Sequence, residues 1–194
     1  DATTTAVETG GIEALTISSS DVNATTGAAL TLTVGTLEAH EATSVVITGS
    51  NKITISELDL VHSAANANKT TAADRAVEMV EIDASAATAL FSLTTTETGY
   101  LTVKGGAAGI DVDMGATATS KDVITGGSAT TDKLTIVDGT STLTSDPTVT
   151  GVETIEFDTI TSGDHTLSLK NVTGASTVEI SDAAAAGTAF GALL

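Results

Sequence analysis

The segment TGVETIEFD, residues 150–158, is nearly repeated as RAVEMVEID at residues 75–83 and more loosely as GGIEALTIS at residues 10–18. Val77, Glu78, Val80, Glu81, Ile82 and Asp83 match Val152, Glu153, Ile155, Glu156, Phe157 and Asp158, each 75 positions on. The match continues from Phe91-Ser92-Leu93 to Leu167-Ser168-Leu169, and from Thr102-Val103 to Thr177-Val178. A strand points alternate side chains to opposite faces. Ile155 and Phe157 are therefore expected on a core face, with Val152, Thr154, Glu156 and Asp158 opposite. Glu153 falls at the strand's end, where it can reach a turn or an ion; the plainer reading of Glu78 and Glu153 is solvated edge charges that discourage edge-to-edge pairing. The repeat reads as a long unit of several strands, stacked so that each copy buries a face against the next.

The rest of the chain carries the same signal. Short alternating runs of Val, Ile, Leu and Thr are expected as strands at 12–17, 29–34, 44–48, 52–61, 77–82, 89–94, 100–103, 110–114, 122–125, 133–137, 152–157, 166–170 and 177–180. Turn residues separate them. Helix signals are confined to Ala-rich ATTGAAL and DAAAAGTAFGALL and to the long gap at 62–76, whose Thr and Asn disfavour a long helix. The single proline, Pro147, reads as a turn. The fold class expected is all-β, a β-solenoid resembling a parallel β-helix, with a β-sandwich as the alternative. A β segment at residues 1–70 would precede the repeat-bearing part at 71–194, and the two can form one continuous domain.

Composition narrows the function. Aromatics make up only 2% of the 194 residues, so the core must be thin aliphatic layers, and the aromatic walls usual in a ligand pocket are scarce. The formal charge is −18, with 25 acidic residues against 7 basic ones. Phosphate backbones and anionic membrane surfaces are poor partners for such a chain. That charge opposes compaction and self-association unless cations neutralise it. Cysteine is absent, which excludes disulfides and thiolate metal sites. No basic-then-apolar leader is visible, and no run of about 18 apolar residues offers a membrane span. His40, His62 and His165 lie far apart without a metal-ligand spacing, and no nucleophile elbow, phosphate loop or dinucleotide fingerprint occurs. No catalytic residue is nominated, and an enzyme is not expected. Three Asn-x-Ser/Thr sequons occur, at Asn23, Asn68 and Asn171; only Asn23 has an acidic residue, Asp21, two places earlier.

Two glycine pairs stand out, in KGGAAGIDVDMG (104–115) and TGGSATTDKLTIVDG (125–139). Calcium takes six to eight oxygens at about 2.3–2.6 Å, many of them backbone carbonyls. Glycines let a turn bend to aim carbonyls inward, an Asp adds charge, and a following apolar residue anchors the strand. Both segments resemble the calcium-binding nonapeptide of RTX proteins, Gly-Gly-x-Gly-x-Asp-x-apolar-x. In the first, Gly105, Gly106, Gly109, Asp111 and Val112 take those places; in the second, Gly126, Gly127, Asp132 and Leu134 do, without the third Gly. Each is one residue too long, which breaks a regular ladder of ions. Asp113, Asp122, Asp138 and Asp158 are further candidate ligands. Followed by a Gly-Val-Glu rung, this turn is similar to those of bacterial S-layer and RTX-type surface proteins, most clearly over residues 75–182. The resemblance implies a β-helical or sandwich wall element exported to the cell surface by a type I system, with calcium-dependent assembly into a homo-oligomeric array or filament. Cell-surface polysaccharide is a further partner so implied. The rival expectation is a glycan- or surface-binding domain of a large RTX-type adhesin.

Overall fold

The computed structural model describes residues 2–8, 14–23, 25–38, 42–59, 79–95, 100–138, 147–159, 165–182 and 190–193. The described residues form seventeen strands and no helix. They are β1 (Ala2–Glu8), β2 (Ala14–Ser19), β3 (Leu32–Glu38), β4 (Ser44–Gly49), β5 (Ile53–Asp59), β6 (Met79–Asp83), β7 (Phe91–Thr95), β8 (Tyr100–Lys104), β9 (Ile110–Asp113), β10 (Val123–Thr125), β11 (Lys133–Asp138), β12 (Thr148–Thr150), β13 (Thr154–Thr159), β14 (His165–Ser168), β15 (Val172–Thr173), β16 (Thr177–Asp182) and β17 (Phe190–Leu193). From β1 to β13 the chain alternates between two sheets, one strand in each. The eight-stranded sheet runs β1-β3-β5-β7-β9-β11-β13-β16, and the seven-stranded sheet runs β15-β12-β10-β8-β6-β4-β2. β14 and β17 pair separately. Every strand pairing among the described residues is parallel, which is consistent with a β-helix-like fold and unlike the antiparallel ladders of a β-sandwich.

One turn of the chain is a strand in each sheet. Register partners lie 21 residues apart from β6 to β8 and from β11 to β13, 22 apart from β9 to β11, and 19 apart from β7 to β9. The stacking unit is therefore near 21 residues and two strands, not the long unit of several strands expected from the 75-residue match. The two copies of that match sit on opposite sheets: Val80 is in β6 of the seven-stranded sheet and Ile155 in β13 of the eight-stranded one. Seven strand steps separate them, three and a half turns. Both sheets need the same alternation of inward aliphatic and outward polar residues, so a half-turn offset reproduces the pattern.

The core is a set of stacked aliphatic columns. Leu93, Val112, Leu134 and Ile155 are register partners in one sheet and all are buried. Val45, Ile82, Val103, Ile124 and Val149 form the matching column in the other. Each turn fills only one strand spacing of height, so methyl-bearing side chains fill the layer, with Phe91 and Phe157 as its buried rings. Val152, placed by alternation on the outward face, is buried as well, because β13 begins only at Thr154.

Most expected strands fall on observed ones within two or three residues. β1, β12, β15 and β17 were not expected; the last lies in the Ala-rich segment for which a helix was considered. Pro147 leads directly into β12. The gap at 62–76 lies outside the described residues, as do His40, His62, Asn68 and Glu78. Strand pairs β4–β6 and β5–β7 connect residues before and after position 70.

The corner leading from the seven-stranded to the eight-stranded sheet has no room for side chains at Gly105, Gly106, Gly126 and Gly127. A Cβ on Gly126 would lie 1.7 Å from the Gly151 carbonyl oxygen, and one on Gly127 would lie 1.7 Å from that of Gly106. Gly27, with φ of +67°, has nothing within 4 Å of the same position. Gly127→Ala is expected to cost more than about 3 kcal/mol, because backbone must move. Gly27→Ala is expected to cost only about 1–2 kcal/mol of left-handed strain. Urea unfolding of the two variants measures the difference.

Candidate functional site

The two Gly-Gly turns do stack on one another. Gly105-Gly106 follows β8, Gly126-Gly127 follows β10, and both lead into the eight-stranded sheet. The amides here extend the sheet ladder past the strand ends. Ala84 N donates to Lys104 O, Gly105 N to Thr125 O, Gly126 N to Thr150 O and Gly151 N to Thr173 O, each at 2.8 Å. These glycines thus serve close backbone approach, and the strand-end carbonyls point along the stack to amides of the preceding turn.

The aspartates of the two turns part company. Asp132 is fully buried immediately before β11. Its Oδ1 accepts the Ile110 amide at 2.7 Å and its Oδ2 the Gly127 amide at 2.9 Å. Its own amide donates to Glu153 Oε2 at 3.1 Å. Asp111, by contrast, lies within β9 on the outward face, with Lys133 as its register partner. Asp113 is two residues on, and its Oδ1 accepts the Gly115 amide at 2.9 Å. Asp158 faces outward on β13, and the Asp138 side chain lies outside the described residues.

Asp122 repeats the geometry of Asp132 on the other sheet. It is fully buried immediately before β10; its Oδ1 accepts the Leu101 amide at 2.7 Å and its Oδ2 accepts the Thr119 amide. Burial pushes both carboxyls above the ordinary Asp value, against the pull of their amide partners, and Glu153 adds to the effect at Asp132. Sequence reading placed both among calcium ligands. The expected strand at 133–137 already put Asp132 one residue ahead of a strand, while that at 122–125 included Asp122; what was missed is that a carboxylate in that place meets the backbone of the turn below.

The oxygens of this corner already have backbone partners. Both Asp132 oxygens already face amide hydrogens, the strand-end carbonyls are taken by the ladder, and Asp111 faces a lysine. Outward carboxylates remain, and on the eight-stranded sheet they surround Lys133. Lys133 Nζ lies 2.8 Å from Glu156 and 3.7 Å from Glu179. Glu156 also accepts from Thr135 Oγ1 at 3.0 Å and from the Ser181 hydroxyl. On the other sheet Lys104 pairs with Glu81, and Lys121 lies over the Tyr100 ring.

Compared with known proteins, the chain significantly matches no family model, no curated protein and no solved structure.

Lys133, Ser181 and Thr135 hold the Glu156 carboxyl down to about 2 from an ordinary 4.5. A group lowered on folding contributes stability above its ordinary value, and the contribution is lost as pH falls toward the folded value. Asp122 and Asp132, raised on folding, act oppositely: their contribution is present below 3.8 and lost as pH rises through the folded value. Lys133→Met should therefore move the Glu156 midpoint, followed by carboxyl NMR, up toward 4.5. The variant should lose about 1 kcal/mol near neutrality, and the loss should vanish as pH approaches 2.

Proposed function

We propose that the chain is an extracellular structural protein, a β-solenoid that self-assembles into a surface layer or filament. What supports this reading is a stack of parallel turns in which β16 has a strand partner on one side only among the described residues. At β16 the inward positions Val178 and Ile180 are 47% and 43% exposed, whereas their register partners Ile155 and Phe157 are buried. An exposed strand edge pairs through its backbone and takes specificity from alternate side chains. A heterologous contact of that kind propagates as a fibre or array.

The charge of −18 opposes such association, and calcium is the cation proposed to offset it. Because both Asp132 carboxylate oxygens accept backbone amides, this reading places the ion between copies, on outward carboxylates such as Asp111, Asp113 and Asp158. The residue pattern resembling S-layer and RTX-type proteins agrees with an address at the cell surface. A glycan- or surface-binding domain of a larger adhesin would share the same rungs and would stay monomeric with calcium.

Light scattering and electron microscopy, with millimolar calcium and then with excess chelator, separate these. Ordered sheets or filaments that form with calcium and dissolve on chelation are expected. A monomer under both conditions would overturn the assembly reading and leave the adhesin domain.

A further inference from the structure

Asp122, Asp132 and Glu153 obey one rule. Each stands one residue before a strand: Asp122 before β10, Asp132 before β11 and Glu153 before β13. The register of those strands sets Asp122 opposite Leu101, Asp132 opposite Ile110 and Glu153 opposite Asp132. In each case the side-chain carboxylate accepts the amide of that opposite residue, one turn below, at 2.7, 2.7 and 3.1 Å. Just ahead of a strand the chain is still turning, so no carbonyl of the upper turn need face that amide. A carboxylate side chain supplies the missing acceptor.

The rule acts on both sheets, and at Asp132 it links three successive turns. The Ile110 amide below, the Gly127 amide of the same turn and the Glu153 carboxylate above all meet one residue. Each Asp132 carboxylate oxygen accepts one backbone amide, so the carboxylate has donors as partners without a cation.

We propose that Asp122, Asp132 and Glu153 are carboxylate staples that hold successive turns together where the glycine–aspartate repeat they resemble would use calcium, so that the chain folds without the ion. Calcium then governs assembly alone. That last consequence rests on the assembly reading above; the staples themselves do not. Folding and assembly become separable: removing calcium takes copies apart and leaves each copy folded.

The test is thermal unfolding by circular dichroism of wild type, Asp132→Asn and Asp122→Asn. Each is measured in chelator and in millimolar calcium, at a protein concentration where scattering shows monomer. An Asn turns one acceptor into a donor that faces a buried amide hydrogen. The wild-type midpoint should agree within about 2 °C between the two conditions, and each variant should melt roughly 4–8 °C lower in both. Hydrogen exchange in chelator should show faster exchange at Ile110 and Gly127 in Asp132→Asn, and at Leu101 and Thr119 in Asp122→Asn. If calcium raises the wild-type midpoint by 10 °C or more, and Asp132→Asn melts like wild type in chelator, Asp132 is an ion ligand and the staple account fails. That failure is distinct from absence of assembly, which scattering reads separately.

Discussion

Adjacent parallel strands lie about 4.8 Å apart, and every feature of this chain answers to that spacing. A layer so thin is filled by one aliphatic side chain per column, which is why Val, Leu and Ile carry the core with so few aromatics. The same spacing brings successive corners nearly into backbone contact, so Gly105, Gly106, Gly126 and Gly127 stack where a methyl group would collide. It also leaves amides at the strand starts without a carbonyl opposite, and the buried carboxylates of Asp122 and Asp132 fill that gap.

Much of the fold was legible because alternation in a two-faced strand is a strong signal. The runs at 44–48, 100–103, 110–114 and 133–137 begin where β4, β8, β9 and β11 begin. The short rungs were not legible: β12 has three residues and β15 two, too few to show a period. β1, with the sequence ATTTAVE, carries little aliphatic pattern, and its pairing to β3 is a tertiary effect. The 75-residue match was real as a pattern and misleading as a unit. Both sheets demand the same residues, so sequence similarity cannot tell a whole number of turns from a half-integral one.

The stacked turn was legible, and the amide partners of its aspartates were not. Glycine pairs followed by aspartate mark a turn that stacks on its neighbour, and the structure stacks them. Whether an aspartate there meets a cation or a backbone amide depends on one residue of offset. Asp132 stands one residue before its strand and is drawn inside; Asp111 stands one residue into its strand and points out toward Lys133. Both motifs carry the same extra residue, so the difference lies in where the strand starts: β9 begins one residue before Asp111 and β11 one residue after Asp132. The interior carboxylates are thereby committed to the fold, and the outward ones are available to other molecules.

The account depends on a turn of two strands and about 21 residues, and cysteine pairs test it directly in a chain that has no cysteine of its own. Thr154→Cys with Thr177→Cys joins register partners of β13 and β16, at a Cα separation suited to a disulfide. Glu81→Cys with Glu156→Cys joins equivalent positions of the 75-residue match, which face outward on opposite sheets. Under mild oxidation of the folded monomer, the first pair should close to near completion and the second should remain free thiol. Closure of the second pair with the first left open would contradict the two-strand turn and restore the long repeat as the unit of stacking.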